Sequence, residues 1–172
     1  IELLDGFSQK WGASWSDLGA NFAGAAIATS QYLIWKEQRF SVKISFHLNP
    51  YPAGELRQRA DELFGRGVFN LVLKDYNNLN FWLSANPYSF AKNSKFPKWL
   101  NFAVGYGAGN LYGGFENKWI DKAGIAHDRS DVTRYRKFFI SIDYDLSRIK
   151  TRTKAGKIAA SIFNIIKLPA PA

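Results

Sequence analysis

Apolar and polar residues alternate in four parts of the chain, and a period of two predicts β-strands. The predicted strands are Phe40–Leu48, Leu79–Ala85, Trp99–Gly107 and Phe138–Leu146. In the third strand the face opposite the apolar residues carries mostly small side chains, which indicates a sheet that curves tightly or meets another backbone. Burial in protein and contact with lipid both require apolar strand faces, so both alternatives stay open at this point.

Helical spacing and end signals predict a long helix near the start of the chain. It covers Ser14–Gln38, with Ser14 or Ser16 as N-cap, and it has no charged residue between Leu18 and Trp35. Polar residues make this segment unsuited to a bilayer span, so we expect it to be buried in protein.

Two shorter helices are predicted further along the chain. A polar helix is expected over Glu55–Phe64, where glycines follow its end. A basic amphipathic helix is expected over Ala155–Lys167, which could lie on a membrane surface or dock on the sheet.

These elements predict an α+β fold for a chain of 172 residues. An N-terminal helical segment, residues 1–38, is followed by residues 39–172 with about four antiparallel strands and the C-terminal helix. The hydrophobic content of 47% and the aromatic content of 16% exclude a disordered or fibrous protein. The chain opens at Ile1 and contains no methionine, so we expect an upstream segment and an incomplete helical pair.

Positive charge narrows the choice of partners. The net charge of +9 makes nucleic acid, phospholipid or lipopolysaccharide a plausible neighbour. The basic residues are not gathered on one helix and the aromatic residues lie on the apolar strand faces, so no nucleic-acid partner is predicted.

The fourth strand links charge to a possible membrane. Every second residue up to Leu146 is apolar, and every second residue from Arg148 to Lys154 is basic. If the strand continues, its face passes from hydrocarbon into a phosphate-rich headgroup layer. The alternative is a soluble amphipathic strand followed by a basic loop. The predicted contacts with anionic lipid are Arg148, Lys150, Arg152, Lys154 and Lys157.

Few residues suggest catalysis or metal binding. The chain has no cysteine and two histidines, which excludes thiolate chemistry and cysteine-based zinc sites. Asp121, Asp128 and Asp131 do not follow the spacing of a calcium loop. No metal, no cofactor and no catalytic residue is therefore predicted.

One acidic cluster is a candidate polar site. Glu2 and Asp5 lie one turn apart if the first residues are helical, and Asp17 and Asn21 lie one turn apart on the next helix. Facing each other, these side chains could bind a polar group or serve as acid and base if burial separated their pKa values. The alternative is that they cap the helices and tie them together.

The same N-terminal residues carry a resemblance. Segments 2–7 (ELLDGF) and 11–25 (WGASWSDLGANFAGA) resemble the uncharacterised family of predicted periplasmic lipoproteins that includes YfiM, and through it VanZ-type membrane proteins. Segments 97–101, 114–119, 138–146 and 167–172 look like the strand-rich extension of longer envelope members. The resemblance implies the bacterial cell envelope, at the outer membrane or its periplasmic face, and it implies no reaction.

The sequence therefore predicts a non-enzymatic envelope protein, an accessory or scaffold subunit of an outer-membrane-associated complex. Its expected partners are an outer-membrane barrel protein or larger envelope complex, and anionic lipid or lipopolysaccharide. The alternative is an envelope lipid- or glycan-binding module, or an enzyme, that uses the acidic cluster.

Overall fold

A computed structural model describes residues 15–47, 50–67, 70, 72 and 74–169, and for residues 15–17, 20 and 21 it describes the backbone alone. The chain divides into two compact units, residues 1–39 and residues 40–172. The fold is α+β, as the sequence predicts.

The first unit contains one described helix, α1 (Trp15–Trp35). Beyond its end Lys36 adopts a left-handed φ of 57°, and the backbone N–H of Arg39 donates to the Gln31 side chain at 3.0 Å. Within this unit most of the described apolar side chains of α1, such as Phe22 and Ile34, are exposed. Among the described residues, no helix is both long enough and apolar enough to cross a membrane.

The second unit is built on a four-stranded antiparallel sheet with the order β1–β2–β3–β6. The four strands are those that the alternation predicts, with small shifts at their ends. Their bounds are β1 (Phe40–Phe46), β2 (Leu79–Ala85), β3 (Leu100–Gly109) and β6 (Tyr135–Tyr144).

The fourth strand does not continue into the basic segment, so of the two alternatives that the sequence left open the extended one is excluded. Strand β6 ends at Tyr144, and a short 3-10 helix (Leu146–Arg148) follows. Asp145 caps this turn, because its carboxylate accepts a hydrogen bond from the Ser147 N–H at 3.1 Å. A carboxylate that satisfies the first free N–H group of a helical turn ends an extended strand at this point.

Helices α2, α3 and α4, whose bounds follow, accompany the sheet in the described part of this unit. The predicted helix α2 (Glu55–Phe64) buries Leu56, Ala60 and Phe64 in a small apolar cluster with Tyr112. The short helix α3 (Pro87–Phe90) follows β2 and was not predicted. The basic helix α4 (Lys154–Phe163) begins after Thr153, whose hydroxyl accepts from the Gly156 N–H at 3.0 Å.

A small hairpin in the long connection before β6 was also missed by the strand pattern. It consists of β4 (Lys118–Ile120) and β5 (Ala126–Asp128). A tight turn joins them, in which the Gly124 N–H donates to the Asp121 carbonyl at 3.1 Å. Strands of three residues are too short for a recognisable alternation.

The segment after α4 connects the two edges of the sheet. The N–H of Ile44 in β1 donates to the Ile165 carbonyl at 2.8 Å, and the Lys167 N–H donates to the Ile44 carbonyl at 2.8 Å. At the other edge the Tyr144 N–H of β6 donates to the Leu168 carbonyl at 3.0 Å. Backbone groups on both edge strands are therefore paired at this level. Helix α4 is shorter than predicted because residues 164 and 165 form a turn and Ile166 makes a β-bridge with Ile44 of β1.

Candidate functional site

The sheet buries its polar face and exposes its apolar face, which is the reverse of the usual arrangement in a water-soluble protein. One face carries polar side chains that are almost completely buried, including Lys43, Asn80, Ser84, Asn101 and Asp143. The other carries apolar side chains that are mostly exposed. Antiparallel sheets in water place their apolar face on the core and their polar face outside, so the exposed face requires an apolar neighbour.

An ion pair lies at the centre of the buried polar face. The Lys43 ammonium is 2.8 Å from the Asp143 carboxylate, and it donates to the Tyr144 carbonyl at 2.8 Å and to the Asn164 side chain at 3.0 Å. Asp143 also accepts from the Ser84 hydroxyl at 2.6 Å. Buried charges persist only where partners replace water, and here each Lys43 proton has an acceptor.

A second buried lysine holds the C-terminal segment in place. The Lys167 ammonium donates to the Ser141 hydroxyl at 3.0 Å and to the carbonyls of Ile142 and Pro169 at 2.9 and 2.7 Å. It also lies 4.5 Å from the centre of the Trp82 ring, a cation–π contact. Burial lowers the pKa of Lys167. The ammonium thus ties residues 167–169 to β6 from inside the polar face.

The small residues of β3 make room for the large buried side chains of β2. A Cβ on Gly105 would lie 2.7 Å from the ring of Trp82, and one on Gly107 would lie 2.1 Å from the Asn80 side-chain oxygen. The close neighbours of these glycines are therefore chiefly side chains on the adjacent strand.

The exposed side of the sheet, which we call the apolar face, is continuous across all four strands. The register places Val42, Leu83, Val104 and Ile140 side by side in one row. Ile140 is 88% exposed. Soluble monomers rarely expose large contiguous apolar patches, and such patches mark contacts with proteins or membranes. The neighbouring rows are Ile44, Phe81, Tyr106 and Phe138, and Phe40, Ala85, Phe102 and Ile142.

Aromatic pairs stand at both ends of the apolar face. Tyr106 and Phe138 pack edge to face with ring centres 5.5 Å apart, and Trp99 and Tyr144 do so at 5.4 Å. Positions 138 to 144 of an extended strand span about 20 Å. Aromatic residues of this kind are enriched where a protein passes from an apolar to a polar environment.

The apolar face continues onto the C-terminal segment and α4. Ile166 and Leu168 flank the inward-pointing Lys167 and line a groove of about 390 Å³ together with Ile149 and Phe163. On α4 Ile158, Ile162 and Phe163 are exposed. The amphipathic helix therefore adds its apolar side chains next to those of the sheet.

Four of the five predicted lipid contacts are exposed, and the fifth has a structural role. The first four are Lys150, Arg152, Lys154 and Lys157, which form no ion pair with any described residue. Arg148 instead pairs with Asp145 at 3.0 Å and donates to the Ser89 hydroxyl at 2.7 Å. It is held there because the strand ends at Tyr144 and the 3-10 turn directs the guanidinium toward Asp145.

The side chains of the predicted polar site lie outside the described part of the structure. Glu2 and Asp5 lie outside the described residues, and Asp17 and Asn21 lie on α1 with side chains outside the description. A binding or catalytic role for these four residues stays a prediction.

A histidine cluster that the sequence did not suggest joins α2 to the β4–β5 hairpin. His127 contacts the Glu55 carboxylate at 2.5 Å through Nδ1 and the Asp121 carboxylate at 3.1 Å through Nε2. The hydrogen bonds to Asp121 and Glu55 raise the pKa of His127. Trp119 stacks on the imidazole with ring centres 5.2 Å apart. Both ring nitrogens are engaged, so the cluster acts as a structural clamp. The part of the chain that the structure describes contains no group of three or more histidine, cysteine or acidic residues able to hold a metal.

Comparisons with known proteins do not identify a relative: no family model, no curated protein and no solved structure matches this chain. The function is therefore argued from the geometry of the apolar face.

The sequence analysis missed two basic residues at the start of β6. Arg136 has the same parity as Phe138 and Ile140, and it pairs with Ala108 of β3 at the end of the apolar face, with Arg134 just before the strand. Both arginines occupy even positions, as Phe138 and Ile140 do, so the alternation of β6 extended toward the N-terminus could have indicated them.

Proposed function

We propose that this chain is a non-enzymatic membrane-associated protein of the bacterial cell envelope, acting as an accessory or scaffold subunit of an outer-membrane-associated complex. One observation carries the proposal: the sheet buries its polar face and exposes its apolar face. The apolar neighbour that this face requires is the acyl region of a membrane.

Lipid is the favoured neighbour because of the residues around the apolar face. Aromatic pairs stand at both ends of it, and cations follow. Exposed Arg136 and half-buried Arg134 lie at one end, and the exposed cations between Lys150 and Lys157 lie at the other. Proteins that lie on a membrane surface combine an apolar face with cations that reach the phosphate layer. Each such cation adds about 1 kcal/mol of attraction to an anionic leaflet.

The dimensions favour a protein that lies on the membrane. The apolar face measures about 20 Å along β6, which is less than the roughly 30 Å hydrocarbon core. A sheet that rests on the surface with its apolar face toward the acyl chains needs no greater length. Cations at both ends of the face are then near headgroups at the same time.

The envelope location is supported by the resemblance of segments 2–7 and 11–25 to predicted periplasmic lipoproteins. Anionic phospholipid and lipopolysaccharide are the lipid partners proposed, since both present phosphate to cations. An outer-membrane protein is the proposed protein partner, and the protein would hold it at the membrane without chemical turnover.

Vesicle flotation with the full chain tests the membrane contact. Wild-type protein should float with phosphatidylcholine vesicles and more strongly with vesicles that also contain phosphatidylglycerol. The variant Val104→Asn/Ile140→Asn changes two paired residues of the apolar face and should lose binding to both kinds of vesicle. The variant Lys150→Gln/Arg152→Gln/Lys154→Gln/Lys157→Gln should lose only the salt-sensitive gain from phosphatidylglycerol.

A matched control changes exposed isoleucines elsewhere. Ile120 and Ile125 are 71% and 58% exposed and belong to the β4–β5 hairpin region. Ile120→Asn/Ile125→Asn should float as wild type does. Equal flotation of the Val104/Ile140 variant and the wild type would overturn lipid contact through the apolar face. A stable dimer in sedimentation that the same variant dissociates would assign the face to a second copy.

The scaffold role needs its own experiment. The native full-length protein is extracted with a mild detergent, and the proteins that co-purify are identified and quantified by mass spectrometry. A stoichiometric outer-membrane protein that is also recovered by a reciprocal pull-down supports the role. A lone protein carrying bound lipid would contradict the scaffold role and would favour a lipid-binding function.

A further inference from the structure

A second feature lies at the end of the apolar face away from Tyr144. A cleft of about 670 Å³ opens there, and we call it the arginine cleft. Arg136 lies on the same face of β6 as Phe138, so the arginine cleft adjoins the apolar face. The lining residues that matter here are Tyr106, Ala108, Leu111, Phe115, Arg134 and Arg136.

The two arginines of the cleft lack the acidic partners that several other arginines of this chain have. Arg57 and Arg66 pair with Asp61, for example, and Arg129 pairs with Asp131. Arg136 is exposed and Arg134 is half-buried, and neither forms an ion pair or hydrogen bond with any described residue. Their charge is thus available to an anion that comes from outside the chain.

The chemistry of the cleft suits a phosphate attached to an apolar group. A guanidinium binds phosphate through two parallel N–H groups, which gives it an advantage over lysine. Phe115 at the mouth of the cleft is fully exposed and Tyr106 lies inside it. Gly114 also lines the cleft, and a Cβ there would meet no atom within 4 Å, so the space is open.

We propose that the arginine cleft binds the phosphate headgroup of a membrane phospholipid through Arg134 and Arg136, with the acyl chains lying along Phe138 and Ile140. This inference rests on the proposed membrane association, because the apolar face supplies the surface for the chains. It adds a specific headgroup site to a contact that would otherwise depend only on apolar area and net charge.

The test compares two double variants that each remove two positive charges. Arg134→Gln/Arg136→Gln changes the cleft, and Arg57→Gln/Arg66→Gln changes two exposed arginines on and after α2 as a matched control. Binding is measured by flotation with vesicles of phosphatidylcholine alone and of phosphatidylcholine with phosphatidic acid. At about five-fold per cation, the cleft variant should bind the phosphatidic acid vesicles about twenty-five-fold more weakly, and the control should change less than about two-fold.

A gain of negative charge gives an independent variant. Gly114→Glu places a carboxylate in the open space of the cleft without a positive φ to strain the backbone, and it should compete with phosphate for the arginines. Gly114→Gln is its uncharged partner and should bind as wild type does. Circular dichroism verifies that each variant is folded.

The outcomes separate this site from the membrane proposal. If wild type binds both vesicles and neither cleft variant weakens binding to phosphatidic acid, the headgroup site is overturned while membrane association stands. If wild type binds neither vesicle, both proposals fall. If soluble glycerol phosphate at the vesicle phosphate concentration displaces the protein from phosphatidic acid vesicles, the cleft binds a free phosphate ester and the assignment to a lipid is overturned.

Discussion

Lys43 of β1 and Asp143 of β6 belong to the two edge strands of the sheet, yet their side chains form a fully buried ion pair at 2.8 Å. Two intervening strands would separate these residues in a flat sheet by more than any side chain can reach. The sheet must therefore curl until its edges approach, with backbone groups of Ile165, Lys167 and Leu168 hydrogen-bonded to them. This closure encloses the polar face and leaves the apolar face outside.

The first prediction concerns that ion pair. Lys43→Met should lower the free energy of unfolding by about 3–5 kcal/mol, because it leaves the Asp143 carboxylate buried without its counter-charge. Urea unfolding followed by tryptophan fluorescence measures the change.

Lys150→Met is the control for the loss of a lysine. Lys150 is exposed and forms no ion pair with described residues, so its replacement should change stability by less than about 0.5 kcal/mol. Equal stability of the Lys43 and Lys150 variants would contradict burial of the pair.

The second prediction compares the two faces of the sheet. Trp82 is 1% exposed on the polar face and Ile140 is 88% exposed on the apolar face. Trp82→Ala should cost about 3–5 kcal/mol, as removal of a large buried side chain does. Ile140→Thr should cost less than about 0.5 kcal/mol in the absence of lipid. Thermal unfolding would reverse this order if the apolar face were the protein core.

The third prediction uses the glycines of β3. Gly105→Ala would place a Cβ 2.7 Å from the Trp82 ring, and such overpacking costs about 1–3 kcal/mol. Gly114→Ala is the control, because its Cβ would meet open space. Denaturant titration of both variants measures the difference, and a Gly105 variant as stable as the Gly114 variant would show that Trp82 does not pack on Gly105.

The fourth prediction concerns the pH dependence set by His127. Its pKa is raised above 6.5 by hydrogen bonds to Asp121 and Glu55. A raised pKa in the folded state means that the imidazolium stabilises the fold fully below pH 6.5 and that this contribution is lost as the pH rises through the folded-state pKa. The stability difference between wild type and His127→Gln should therefore shrink as the pH rises above 6.5.

Two measurements examine this contact. A titration of the His127 ring protons by NMR gives the folded-state pKa directly, and unfolding of both proteins across the same pH range gives the stability difference. A pKa at or below 6.5, or a stability difference that grows with pH, would show that the two carboxylates do not hold the charged ring.

Local patterns in the sequence were sufficient for most elements of the fold. Helix α2 and strand β2 have the predicted bounds, because period and end signals depend on residues close together in the chain. The β4–β5 hairpin was missed because each strand has three residues. Whether β6 continues past Leu146 stayed open at the level of sequence, since parity alone ignores the cap that Asp145 provides just after Tyr144.

The candidate site was predictable only in part. The exposed cations from Lys150 to Lys157 could be found from composition, but the diversion of Arg148 to Asp145 and Ser89 depends on contacts with a distant part of the chain. The arginine cleft likewise depends on β3 and β6 lying side by side, which brings Ala108 next to Arg136.

The amino-acid sequence alone determined that the strands are two-faced, that the chain is basic, and that an α+β fold results. Only the tertiary structure decided which strand face is buried. The alternating pattern is the same whether the apolar side chains contact protein or lipid. The decision depends on Lys43, Asp143 and Lys167, which find their partners only when residues far apart in the chain meet at the closed edges of the sheet. A buried charge is tolerated only when such partners replace water.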